Sequence, residues 1–193
     1  MSPDMSRFAA SHGRHRYVEL RHADIQTLRD WRNRQLDVLR QRAPLSEEEQ
    51  ERWYEEVVLP THGSDRPRFL LVSILEDGER FIGYGGLTNV DWDHARAEVS
   101  FLLDPDRTED PERYRGDLAT FLAFLKEWAF RTLGLHRLHT ETYDHRTHHI
   151  AALEEAGFTP EGTLRDHVRR PDGRWQSSRL HAVINHRPVD PTP

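Results

Sequence analysis

Apolar positions along the chain fall into short alternating runs separated by turns, then one long helical run, then alternating runs again. Tyr17-Val18-Glu19-Leu20-Arg21 is the first run and reads as a strand. Ile25, Leu28 and Trp31 recur at helical spacing behind Asp24, which is placed to cap them. Ser46-Glu47-Glu48-Glu49 has capping-box spacing and predicts a second helix to Val58, ended by Leu59-Pro60. Arg68 to Ile74 is an apolar strand, Glu76-Asp77-Gly78-Glu79 a turn, and Phe81 to Val90 the returning arm of a hairpin. Asp91-Trp92-Asp93-His94 turns the chain into Ala97-Glu98-Val99-Ser100-Phe101-Leu102-Leu103, apolar enough to be central in a sheet. Ala119 to Phe130 runs without Gly or Pro and is apolar on most faces, as in a well-buried helix. Gly134 then supplies a C-cap, Arg137 to Tyr143 the next strand, and Gly157 the cap of a shorter helix. A last hairpin joins Leu164–Val168 to Trp175–Ile184 through Pro171-Asp172-Gly173.

With no repeat and no internal linker, the pattern predicts one domain over residues 16–185. A polar, mobile segment (1–15) precedes it and a proline-containing tail (186–193) follows.

Composition narrows the class. A chain of 193 residues can bury a real core, and its Trp, Phe, Leu and Val are spread along its length, which argues for a folded protein. No apolar run approaches the roughly 20 residues of a membrane span, and residues 1–15 lack the apolar stretch of a signal peptide, so a cytoplasmic protein without membrane contact is expected. Cysteine is absent, which removes disulfides and thiolate chemistry. The net charge of −6 weighs against nucleic acid as a partner. Thirteen histidines invite a metal, but no two-ligand helical spacing such as H-E-x-x-H occurs, and no metal is expected.

The candidate chemistry starts where the central strand meets the long helix. Between them lie Arg113-Tyr114-Arg115-Gly116-Asp117-Leu118. A strand, a glycine-containing turn and a helix N-terminus together make an anion site, because unpaired N–H groups and the positive end of the helix dipole point outward.

The element order and the phrases IGYGGL, AEVSFLLD and LEEAGFTPEGTLR closely resemble the GNAT superfamily of N-acetyltransferases over residues 16–184. The resemblance is strongest to the branch of ribosomal-protein and nucleotide amino-sugar acetyltransferases. Trp31-Arg32-Asn33, followed by Ser46-Glu47-Glu48-Glu49 and Trp53-Tyr54, is similar to the amino-sugar group. It implies an α/β (α+β) GNAT fold: a mixed, mostly antiparallel sheet of six or seven strands with helices on both faces. It also implies acetyl-CoA as co-substrate and a small-molecule primary amine as acceptor. An amino sugar or a secondary-metabolite intermediate leads, and a protein N-terminus comes second. A homodimer through the C-terminal hairpin is a further family-level expectation.

Site residues follow from the same resemblance. Phe101, Leu102 and Leu103 would pair with the donor's pantetheine arm, and Arg113, Tyr114, Arg115, Gly116, Asp117 and Leu118 would cradle its pyrophosphate. Glu98 is the candidate base, with His145 as a substitute, and Tyr143 the candidate acid, because Leu153 stands where many relatives carry an acidic tyrosine. Trp31, Arg32 and Asn33 would lie beside the acceptor. The cradle departs from the family's pattern at Leu118, where Gly or Ala is usual, and at Asp117, which adds negative charge beside the phosphates. Arg146 replaces a customary Asn. These departures keep two rivals open: a donor site adapted to another acyl carrier such as aminoacyl-tRNA, and a non-catalytic binding module.

Overall fold

In the computed structural model, which describes residues 9–186, eight strands form one sheet in the order β1-β2-β3-β4-β5-β6-β8-β7. They are β1 (Ala9–His12), β2 (His15–Glu19), β3 (Leu70–Glu76), β4 (Arg80–Asp91), β5 (Arg96–Leu103), β6 (Arg137–Tyr143), β7 (Thr159–Arg169) and β8 (Trp175–Ile184). All neighbours run antiparallel except β5 and β6, which are parallel. The helices are α1 (Ile25–Arg34), α2 (Glu47–Trp53), the short α3 (Pro105–Thr108), α4 (Pro111–Glu127) and α5 (Thr147–Glu155). This is the expected mixed, mostly antiparallel sheet with helices on both faces.

The extra strand is β1. Residues 9–15 are expected from the sequence to be mobile, but Ala9–His12 pair with β2, Gly13 and Arg14 turn the chain, and His15 begins β2 and is buried. Small and polar residues on an edge carry no apolar alternation, so the sequence pattern has nothing to report there. Residues 1–8 and 187–193 lie outside the described part, as does most of the expected tail.

Alternation along the strands sorts side chains into two cores. Tyr17, Val72, Ile82, Leu87 and Ala97 face α4 and α5, meeting Leu118, Phe121, Leu122 and Leu125. Leu71, Tyr84 and Leu102 face the other way, against Ile25, Leu28 and Trp31 of α1 and the α2 segment. The glycines of the IGYGGL phrase serve this packing. A Cβ on Gly85 would stand 2.6 Å from Phe121 Cζ, so its absence lets α4 settle onto the sheet. Gly86 adopts φ +132, a conformation few side chains tolerate.

Local signals held at α2, where Ser46 Oγ accepts from Glu49 N–H and Ser46 N–H donates to the Glu49 carboxylate at 2.8 Å. Asp24 makes no side-chain cap to α1. Its carboxylate instead takes hydrogen bonds from Arg21 and from Ser73 Oγ, tying the helix start to β3.

Candidate active site

The one parallel junction is also where the sheet opens. β5 and β6 pair only through Arg96–Arg137, Ala97–Leu138 and Glu98–His139. Beyond that, β5 stays with β4 as far as Leu103 and β6 stays with β8 as far as Tyr143, so the two strands part. A cavity of about 210 Å³ fills the gap between Val99–Phe101 and Thr140–Tyr143. Its lining includes α4 and α5 residues from one face of the sheet and Val38, Leu39 and Arg40 from the other. The cavity therefore reaches both faces.

Register places the charged groups. Glu98 pairs with His139, so Glu98 and Glu141 share the face covered by α1 and the loop after it. Arg40 forms an ion pair with Glu98, and its other terminal nitrogen lies 3.9 Å from Glu141. Asn89 Nδ2 donates to the second Glu98 oxygen at 2.9 Å. Glu141 Oε1 and Thr140 Oγ1 are buried without a hydrogen-bond partner. Both belong to cavity-lining residues.

The opposite end is lined by Leu118 and Leu122 of α4 and by Arg146, His149 and Leu153 at the start and along one face of α5. Tyr114 spans the two helices: its hydroxyl lies 2.6 Å from His149 Nδ1 and accepts from Arg146 at 3.0 Å. Burial holds the His149 imidazole well below its usual range, and Arg146 and His181 push the same way, so the ring is neutral.

The profile described as an acetyltransferase (GNAT) domain matches residues 18–178. The chain belongs to the GNAT acetyltransferase family. A comparison with curated proteins finds no match. Among solved structures, spermidine N-acetyltransferase from Vibrio cholerae in complex with CoA and spermine is similar in fold. Its TM-score is 0.77 at 17% identity, over 89% of this chain and 95% of that one. A dodecameric form of that enzyme in an intermediate state gives a TM-score of 0.71 at 17% identity, over 89% of this chain and 94% of that one. The protein is thus a GNAT-type N-acetyltransferase.

Within this GNAT domain the expected site residues separate. Glu98, Phe101, Leu118 and Tyr143 belong to residues bordering the cavity or its Arg40 lid. Leu102 faces the α1 core instead, and Leu103 is buried at the end of β5. His145 is exposed and outside the cavity lining, so it is poorly placed as a base; it stacks on Tyr143 with centroids 5.9 Å apart. Trp31, Arg32 and Asn33 do not line the cavity. Trp31 stacks on Phe81 in the core at 4.8 Å. Arg32 donates to Gln41 Oε1, while Asn33 Oδ1 accepts from Leu45 N–H at 2.8 Å and from Gln41. These residues hold the loop that delivers Arg40. Arg40, Glu141 and His149 were missed, because loop placement and strand register bring them in and no local motif marks them.

The cradle also needs correction. Arg113 to Leu118 is not a turn but part of α4, which begins at Pro111. Asp110 caps it, accepting from the N–H groups of Glu112 and Arg113 at 3.0 and 3.2 Å. Asp117 does not face an anion site: it is buried against Arg14, His15 and Arg107. Burial alone would raise its carboxyl, but hydrogen bonds from His15, Arg14 and Arg107 outweigh this and hold it at about 2. His15, Glu76 and Asp117 have metal-ligand types and proximity. Arg107 and Arg14 already bond the same carboxylates, so the charge there is compensated without an ion. Leu118 is fully buried in the core, so it does not obstruct an approach from solvent.

Two features nevertheless fit acetyl-CoA. The parted strands leave a slot with unpaired facing edges, and Gly116 sits on an exposed helix surface where a Cβ would meet only Arg14 Nη2, at 3.9 Å. Packing does not require a glycine there. Gly116→Ala is expected to stabilise the free protein by about 0.5–1 kcal/mol through helix propensity, while weakening CoA if a phosphate approaches this backbone. Melting curves with and without CoA measure both effects. A variant stabilised equally in both conditions would place the phosphates elsewhere.

Proposed function

We propose that the protein transfers an acetyl group from acetyl-CoA to the primary amine of a small molecule that also bears an anionic group. An amino sugar in phosphate linkage is the leading class. The carrying observation is the cavity that crosses the sheet with the buried Glu141 Oε1 in its lining residues, an oxygen that accepts no hydrogen bond and has His167 Nε2 3.7 Å away. A buried acceptor without a donor costs roughly 1–3 kcal/mol, and an incoming ammonium would relieve it.

Bound acetyl-CoA supplies a thioester carbonyl as the electrophile. Glu98 and Glu141 attract the ammonium, and Arg40 occupies the position that such a cation would take. Glu98 then accepts a proton from the amine, directly or through water, which an ordinary carboxylate can do. Tyr143 donates to Leu39 carbonyl oxygen at 3.3 Å and so helps hold the loop over the acceptor side, in place of the acid role expected for it.

Arginines support the anionic substituent. Arg42, Arg169 and Arg170 line a depression with Pro171 and Gly173, and Arg170 lies 5.5 Å over the Tyr143 ring at the cavity wall. Such a rim suits phosphate and opposes a polycation. The spermidine enzymes therefore share the fold while the acceptor preference differs. The exposed outer strand β7 leaves an edge for a homodimer, which belongs to the same reading. Among the described residues no helix is long and apolar enough to cross a membrane; a cytoplasmic location is part of the proposal.

Calorimetry with CoA, followed by turnover of acetyl-CoA with an amino-sugar phosphate and with spermidine, tests the proposal. CoA binding and preference for the amino-sugar phosphate are expected. Preference for spermidine would overturn the anionic acceptor. Absence of CoA binding would favour another carrier or a binding role, as the Asp110-capped helix start would then explain.

A further inference from the structure

The residues assigned above account for taking a proton from the amine, but not for what happens to the sulfur. Acyl transfer forms a C–N bond and breaks a C–S bond, and the departing sulfur must receive a proton or a hydrogen bond. The amine enters from the Glu98 and Glu141 side, so the sulfur leaves at the α5 end. There the cavity lining is apolar, with Val99, Phe101 and three leucines, apart from strand threonines, Arg146 and His149. Tyr143 belongs to the other face of β6, and its hydroxyl hydrogen is already given to Leu39.

We propose that Arg146, Tyr114 and His149 form a proton-delivery chain to the leaving sulfur, resting on the acyl-transfer reading above. The direction of the chain follows from donor and acceptor chemistry. A guanidinium can only donate, so Arg146 donates to Tyr114 Oη. Among the described residues the Tyr114 hydroxyl has one other partner, His149 Nδ1 at 2.6 Å, so its own hydrogen points there. Nδ1 is then an acceptor, and the neutral ring carries its proton on Nε2. The ring is 8% exposed and lines the cavity. Its Nε2 makes no hydrogen bond among the described residues, leaving an available donor.

Proton balance closes within the chain. His149 gives its Nε2 proton to the sulfur as the C–S bond breaks, and receives the Tyr114 phenolic proton at Nδ1. Arg146 neutralises the phenolate that remains. The proton released from the amine as the amide forms balances the chain once solvent reprotonates Tyr114. Besides Tyr114 from α4 and Arg146 at the head of α5, His181 of β8 faces His149, and His181 Nε2 itself lies 3.4 Å from Glu154. Burial raises Tyr114, while Arg146 opposes that by favouring the phenolate.

The distinguishing measurement is the ionisation of CoA's own thiol, read from thiolate absorbance against pH for CoA bound to the protein. A neutral N–H aimed at sulfur favours the thiolate, so the bound thiol is expected to ionise about tenfold more readily than free CoA, one pKa unit. His149→Ala should abolish that difference. Tyr114→Phe, which keeps the ring but releases the tautomer, should reduce it. Melting curves establish that each variant is folded; if His149→Ala is not, Tyr114→Phe decides alone. A bound thiol that ionises identically in wild type and folded variants overturns the chain and leaves a structural tie between α4 and α5. Failure of wild type to bind CoA overturns the acyl-transfer reading itself, and the chain with it.

Discussion

Glu98→Gln is expected to lower turnover about 10²-fold or more while leaving affinity for acetyl-CoA unchanged. A primary aliphatic amine reaches the site largely as its ammonium at neutral pH and must lose that proton before it can attack. Glutamine can accept the same hydrogen bond but cannot take the proton. The surroundings of Glu98 sharpen the expectation. Asn89 fixes one carboxylate oxygen and Arg40 the other, so the carboxylate is oriented before the acceptor arrives. The side-chain partners of Glu98 are Arg40 and Asn89, neither of which is among the residues expected to hold the donor, so the substitution leaves that end of the site intact. Glu141→Gln, by contrast, should raise the acceptor KM more than it lowers kcat, because Glu141 attracts the cation without being the base. Steady-state kinetics with the amino-sugar phosphate, together with calorimetric titration of CoA, separate the two. Unchanged turnover in Glu98→Gln would reduce Glu98 to an anchor for the Arg40 loop.

The contrast between Glu98 and Arg40 shows what a sequence of this kind makes legible. Glu98 stands inside a strong alternating run, so its strand and its face can be read directly. Arg40 lies in irregular chain, and long-range contacts of its loop with Asn33, Arg32, Tyr143 and Arg170 decide that it covers the cavity. His149 lies in a short helix of mixed polarity where any face could be inward. The α4 start was available: Asp110-Pro111 is a favourable N-cap followed by proline at the first helical position. That signal carries the helix through Arg113 to Leu118, where the glycine suggests a turn. Asp117 was misplaced for the same reason, since a helix directs it toward β2 and a turn would have left it facing solvent. The overall fold does not depend on such local details, because it rests on strand alternation and glycine placement, which are dense and redundant over β3 to β5.

Arg107→Met is expected to destabilise the protein by about 3–5 kcal/mol at neutral pH, the range seen when one partner of a buried ion pair is removed. Arg107 is 2% exposed and donates to Glu76 at 2.9 and 3.0 Å and to Asp117 at 2.8 Å. Methionine fills much of the volume but leaves Asp117 to His15 and Arg14 and Glu76 to Arg14 and Arg80, and both of these arginine side chains are 54% exposed. Hydrogen bonding from Arg107 is the leading cause that lowers Glu76, and Asp117 is held at about 2. Depressed carboxyls stabilise the fold fully above their unfolded values near 4, and that stability fades as pH falls toward 2. In the variant both carboxyls move upward, so less stability remains to be lost on acidification. Urea unfolding from about pH 7 down to pH 3 should therefore show a large gap between the proteins that narrows with acid. A constant gap across that range would mean that Arg107 acts through packing alone. A small gap at neutral pH would mean that Arg14, His15 and Arg80 suffice to hold the two acids, and that the cluster beneath α4 is wetter than its burial implies.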